Sequence, residues 1–306
     1  MYRAIDKGRP VNVRCDFKFN AEYIPATLYL ACETPEIFDI TLNGRIVDKT
    51  DCGYFLDKSF IKLDISKLVV LGENIVSMTV DFKQSKAVYE NIERAKKFES
   101  EKNKLTFDME IEQIYIVGDF SVKTEGTFEE LDRNACRYKG DFIIANPKEK
   151  ITLQNIERQG FPFFVGAITL KKQFAANDKN MILDFAKCGV NVVKAKINGK
   201  EIQKLMWEPY SADISELIDE GNNEIELTLV NNLRNMQGPF HLSECESYLV
   251  MPPDFYKEKC VWNDNNDEKK WNDDYCFACI SINNRYLERS NNDVKSTRYK
   301  FGNNYK

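Results

Sequence analysis

Trp207, Tyr210, Arg234, Asn235 and His241 are the side chains of this sequence best suited by type to hold a neutral ligand. Trp207, Pro209 and Tyr210 stand close in sequence and offer flat apolar surface for the C–H face of a pyranose ring. Arg234, Asn235 and His241 offer a few polar groups for hydroxyls, the combination a small-molecule site needs. Each also has an ordinary structural use. Aromatic residues dominate cores and interfaces alike, Arg234 can pair with a carboxylate such as Glu244, and a lone loop histidine serves many purposes.

Other chemistries find less support. Hydrolysis by paired carboxylates needs two acids about 5–10 Å apart across a cleft; Glu33, Asp119, Asp141 and Asp213 qualify by type, and their sequence context singles out none. No G-x-S-x-G, G-x-G-x-x-G or Walker pattern is present, so neither a serine nucleophile nor a nucleotide cofactor is expected. The oxygen-rich run Asp264-Asn265-Asn266-Asp267-Glu268 has Lys269 where a calcium loop requires glycine, and reads as a solvated acidic loop. The nine cysteines are irregularly spaced and odd in number, which predicts reduced thiols in a reducing compartment. Cys276 and Cys279 form a C-x-x-C within the apolar run 275–282, but His241 is the only histidine and no second cysteine pair stands nearby, so two strand cysteines are expected rather than zinc. No cofactor and no metal are expected. A net charge of −5 lacks the basic footprint of a nucleic-acid binder. No apolar run is long enough to span a bilayer, and residues 1–10 lack a signal-peptide core, so a cytoplasmic protein without membrane contact is expected.

The elements that must carry these residues read as short strands. Apolar residues alternate over 13–19, 27–32, 38–42 and 75–82, the period of a half-buried strand. Asn43-Gly44 and Asn198-Gly199 each lie between two such runs, the strongest local signal for a tight hairpin. The pattern around them recurs. Asp64-Ile65-Ser66 followed by Gly72 returns as Asp213-Ile214-Ser215 followed by Gly221, with the same internal spacing. The Asn-Gly turns are 155 residues apart and the Asp-Ile-Ser triplets 149, so a two-copy repeat is predicted, six residues shorter between turn and triplet in the second copy. In each copy the aspartate is placed to cap a short helical turn that the glycine then ends. Residues 85–104 are rich in Glu and Lys, with Val88, Ile92 and Ala95 at helical spacing, predicting one connecting helix.

Asp-Ile-Ser, a short turn, Gly-Glu-Asn and a strand resemble the galactose-binding-domain-like jelly roll of bacterial glycoside hydrolases, as found in family 2 glycosidases and in the C-terminal region of α-L-rhamnosidase-like enzymes. In the second copy Gly160-Phe161-Pro162-Phe163-Phe164-Val165-Gly166 resembles the family's GYPFYAG, and Asn231-Asn232-Leu233-Arg234-Asn235 with Gly238-Pro239-Phe240-His241 resembles NxLRNxxGPHH. Phe240 departs from the histidine often found there. The resemblance covers roughly 11–82 and 112–286. It implies an all-β chain of two tandem jelly-roll sandwiches: 1–84, a helical linker over 85–111, a second sandwich over 112–256, and an extension over 257–306 with one strand packed on the second sandwich. It further implies a non-catalytic accessory region that binds carbohydrate or supports an upstream glycosidase catalytic domain, the chain being part of a larger enzyme. A hydrolase with an unrecognised site is the remaining alternative.

Overall fold

A computed structural model describes residues 10–132, 134–176, 179–237, 275–290 and 293–295. The chain is mostly β-strand and divides into two units, 1–120 with 143–146, and 121–142 with 147–306.

In the first unit, β1 (Val11–Ala21), β2 (Leu28–Glu33), β3 (Asp39–Leu42), β4 (Arg45–Ile46), β5 (Tyr54–Phe55), β6 (Asp57–Asp64) and β7 (Gly72–Phe82) precede α1 (Lys86–Ala95), α2 (Glu99–Lys102) and β8 (Tyr115–Gly118). Two sheets form, one in the order β1-β7-β3-β4 and one in the order β5-β6-β2-β8. Leu28, Leu30, Ile40, Leu42, Leu63, Val76 and Met78 from both sheets share one buried core, as a sandwich requires. The alternation seen in sequence is realised along β7, where Asn74, Val76, Met78, Val80 and Phe82 are buried in turn. The unit extends to Phe120 because β8 pairs with β2, Leu28 opposite Gly118. Residues 143–146 return to it, with Ile144 pairing beside Ala21 and entering its core. The predicted connecting helix is two: Phe98 is extended, with φ −132°, and separates α1 from α2.

The second unit contains β9 (Ser121–Leu131), β10 (Ala135–Ala145, in this unit as far as Phe142), β11 (Gly166–Ala176), β12 (Met181–Cys188), β13 (Val192–Ile197), β14 (Lys200–Glu201), β15 (Ser211–Asp213), β16 (Gly221–Asn231), β17 (Tyr275–Ala278), β18 (Ile282–Ser290) and β19 (Asp293–Lys295). Its sheets run β11-β16-β13-β14 and β15-β12-β18-β19, with Leu183, Phe185, Val193, Ile197, Ile225, Leu227 and Leu229 in the core. β9 pairs with β10, and β10 with β17.

The two units repeat each other residue by residue. β1 pairs with β7 from Val11–Phe82 to Ala21–Gly72, and β11 with β16 from Gly166–Asn231 to Ala176–Gly221. Leu42 faces Val76 and Ile197 faces Ile225; Tyr29 faces Asp64 and Ile182 faces Asp213. Asn43 and Asn198, both with φ near +50°, begin equivalent hairpin turns completed by Gly44 and Gly199.

A matching set of side-chain bonds locks each copy. The Asn43 amide donates to Leu68 O and to Asn74 Oδ1, while its own Oδ1 accepts from the Ile75 N–H at 3.0 Å. Asn198 donates to Leu217 O and Asn223 Oδ1 and accepts from the Glu224 N–H at 2.9 Å. Buried Asn74 accepts from the Val70 N–H and donates to Val70 O and Gly72 O; buried Asn223 does the same with Asp219 and Gly221. Asp64 Oδ1 accepts both the N–H and hydroxyl of Ser66, as Asp213 Oδ1 does from Ser215. These buried amides find their own partners in the backbone of the adjoining turn.

One expectation is corrected. Cys276 is disulfide-bonded, so the cysteines are not all reduced, although Cys15, Cys32, Cys52, Cys136, Cys188 and Cys279 are. The odd count of nine obscured a bonded pair because parity cannot exclude a disulfide.

Candidate functional site

The segment carrying Trp207 and Tyr210 connects β14 to β15 in the second unit. It is pinned along its length. Ile202 N–H donates to Ala195 O, Leu205 exchanges both backbone bonds with Val193 at 3.0 Å, and Tyr210 O accepts from the Phe185 N–H at 2.9 Å. Gln203 donates to Ser211 O, and the Glu208–Pro209 peptide bond is cis. Leu205 is buried, whereas Met206 and Trp207 turn outward. Trp207 is 71 % exposed, the most exposed of the described tryptophan, tyrosine and phenylalanine side chains. Tyr210 is half-buried and packs against the core.

Arg234 and Asn235 follow the C-terminal end of β16. β13 is antiparallel to β16, with Val192 opposite Val230, and Leu205 sits against Val193. Residues 206–207 and 232–235 therefore leave the sheet at the same end, where β13 begins and β16 finishes. The Arg234 N–H closes a turn onto Asn232 Oδ1. Asn235 is buried, and its amide bonds both backbone groups of Ala278, at 3.0 and 2.8 Å, so its polar atoms hold the chain beside β17. His241 and the acidic run 264–268 lie outside the described residues. Of the carboxylates considered by type, Asp213 is engaged by Ser215 and Glu33 accepts from the Ser59 hydroxyl; Asp119 and Asp141 are exposed.

A second constellation went unseen in the sequence. Cys136 on β10, Cys279 just after β17 and Glu157 in the 3-10 turn Ile156–Arg158 place their ligand atoms within 4.8 Å of one another, all three residues buried. The Glu157 side chain is 0 % exposed; its carboxylate accepts from the Ile280 N–H at 2.9 Å and from Arg158 Nε at 3.2 Å. Burial pushes its acid group up, opposed by those bonds. The thiols are hydrogen-bonded to each other, which holds the proton on Cys136 and draws it off Cys279. Arg158 also pairs with Glu130 and lies 4.9 Å over the Phe128 ring. Cys136 and Cys279 are 143 residues apart, and the C-x-x-C spacing of Cys279 points to Cys276 rather than to Cys136. Only the β10–β17 pairing, Cys136 opposite Phe277, brings them together.

Neither a protein-family model nor a curated protein matches the sequence. Structural neighbours are rhamnosidase and family 2 glycoside hydrolase chains. An α-L-rhamnosidase from Streptomyces avermitilis is 10 % identical over 73 % of this chain and 22 % of its own, with a TM-score of 0.27. A β-D-glucuronidase from Dictyoglomus thermophilum is 14 % identical over 57 % and 32 %, with a TM-score of 0.24. A family 2 member from Bacteroides cellulosilyticus is 13 % identical over 73 % and 24 %, with a TM-score of 0.24. The chain spans about a fifth of the length of the rhamnosidases it matches. Among the described residues, no helix is long and apolar enough to cross a membrane.

Proposed function

We propose that this chain is a non-catalytic, carbohydrate-binding accessory region of a larger glycosidase, built from two galactose-binding-like jelly rolls. The sugar site is at the end of the second sandwich, where Trp207 provides the stacking face, Tyr210 flanks it and Arg234 supplies a donor. The single observation that carries this reading is the exposure of Trp207 on a segment whose backbone is bonded on both sides of it. An exposed indole costs hydration, and a rigidly presented one suits a flat apolar ligand face without a large ordering cost. The motif order of the second copy supports the same reading, and the aromatic–polar pairing is that of a neutral-sugar site.

Affinity electrophoresis of the whole chain through soluble polysaccharide gels tests it. Retardation by at least one glycan is expected, lost in Trp207→Ala while the far-ultraviolet spectrum is unchanged. If no glycan retards the wild-type chain, or the variant is retarded equally, the proposed site is wrong. A second reading, a purely structural domain pair supporting a catalytic domain, is favoured by Asn235, whose amide is fully engaged with Ala278. Failure of every glycan to bind would favour it.

A further inference from the structure

We propose that Cys136, Cys279 and Glu157, with Glu130 as fourth ligand, form a structural zinc site that clasps β10, the chain after β17 and the 3-10 turn at Ile156–Arg158 in the second unit. Two sulfurs and a carboxylate oxygen already converge within 4.8 Å. In a tetrahedral site with Zn–S near 2.3 Å, ligand sulfurs stand about 3.8 Å apart, so bringing the Cys136, Cys279 and Glu157 ligand atoms to that spacing requires movements of about 1 Å. Glu130 Oε2 lies 3.8 Å from Cys279 Sγ, and its carboxylate, paired with Arg158, would swing in to complete the four.

The surroundings favour a cation over a chance cluster. Glu157 is the only acidic or basic residue among the buried polar ones described, and it is buried beside two thiols rather than at a rim. A buried carboxylate is costly unless paired or bound to metal. Arg158 meets part of that need, at Glu157 and Glu130. Two thiolates and two carboxylates against one zinc ion and Arg158 leave a single net negative charge, whereas Arg158 alone leaves any deprotonated thiol uncompensated. The positions are also held from behind: Ile280 N–H orients Glu157, and Asn134 bonds both backbone groups of Cys279 at 2.8 Å. Such outer contacts fix ligand orientation. Binding is not a redox step: each thiol gives its proton to solvent and its sulfur lone pair to the metal, and the carboxylates bind as they are.

The test uses the full chain, reduced with a phosphine and titrated with zinc alone, followed by gel filtration and metal analysis. One tightly held zinc per chain is expected, with release of up to two protons from the thiols on binding and a rise in thermal midpoint. Cobalt in place of zinc should give a thiolate charge-transfer band. Cys136→Ser with Cys279→Ser should abolish the tightly held metal and the band, Glu157→Gln should weaken affinity at least tenfold, and Cys276→Ser should leave both intact. A wild-type chain that retains no zinc overturns the proposal, whatever the variants do. So does a double variant that folds and still holds it, or a Cys276→Ser chain that folds and loses it.

Discussion

At the scale of single residues, the asparagine pairs bear the most on stability. Asn223 bridges Asp219, Gly221 and Asn198, and Asn74 bridges Val70, Gly72 and Asn43. Replacing either by alanine removes several hydrogen bonds at once and leaves the Val70 or Asp219 N–H without its side-chain acceptor. Asn223→Ala and Asn74→Ala should each cost about 3 kcal/mol, to similar extents because the networks match, as read by urea denaturation. Asp64 makes a pH-dependent contribution. The Ser66 hydroxyl, then the Ser66 N–H, hold its carboxyl below the usual range. A depressed folded value means that the contribution is present above the unfolded carboxylate range and is lost as pH falls through the folded value. Ser66→Ala should move the Asp64 titration midpoint upward by NMR and make the acid loss of stability shallower. An unchanged midpoint would show that the hydroxyl is not the main cause.

At the scale of elements, two glycines separate backbone conformation from close packing. In the Asn43-Gly44 turn, Gly44 has φ +75° and open space where a side-chain methyl would stand, with no atom within 4 Å. Gly44→Ala should therefore cost only the positive-φ preference, about 1 kcal/mol. Gly126 on β9 is different: a Cβ there would lie 2.1 Å from Lys139 O and 2.7 Å from Gly140 Cα. The hairpin of β9 and β10 would have to open, so Gly126→Ala should cost about 3 kcal/mol or more. Hydrogen exchange should show the loss along β10 rather than at the Asn198 hairpin. Equal stability of the two alanine variants would mean that β9 and β10 do not approach as closely as described.

At the scale of the whole molecule, the second unit gathers its parts from distant sequence. β18 completes the sheet beside β12, while β17 joins β10. Cys276, on β17, is disulfide-bonded. Thiol titration of the denatured chain should find two more groups after reduction than before. Equal counts would restore the expectation of fully reduced cysteines. A bonded Cys276 also removes the cysteine-based reason for assigning a reducing compartment.

The all-β class, the two Asn-Gly hairpins and the Asp-x-Ser turns were legible in the sequence because their determinants are local. Asp64 reaches Ser66 two residues on, Asn74 reaches Val70 four residues back, and the alternation of β7 and β16 has a period of two. A repeated string of such short-range bonds keeps its spacing, so both copies could be aligned before any strand was paired. Trp207 and Tyr210 were legible by type, but which of them faces solvent depends on the bridge from Leu205 to Val193. Asn235 resembled a ligand-binding residue until the fold placed Ala278, 43 residues away, against its amide. The meeting of Cys136, Glu157 and Cys279 was decided only by tertiary structure, because strand pairing alone sets which distant residues share a buried face, and no local spacing encodes it.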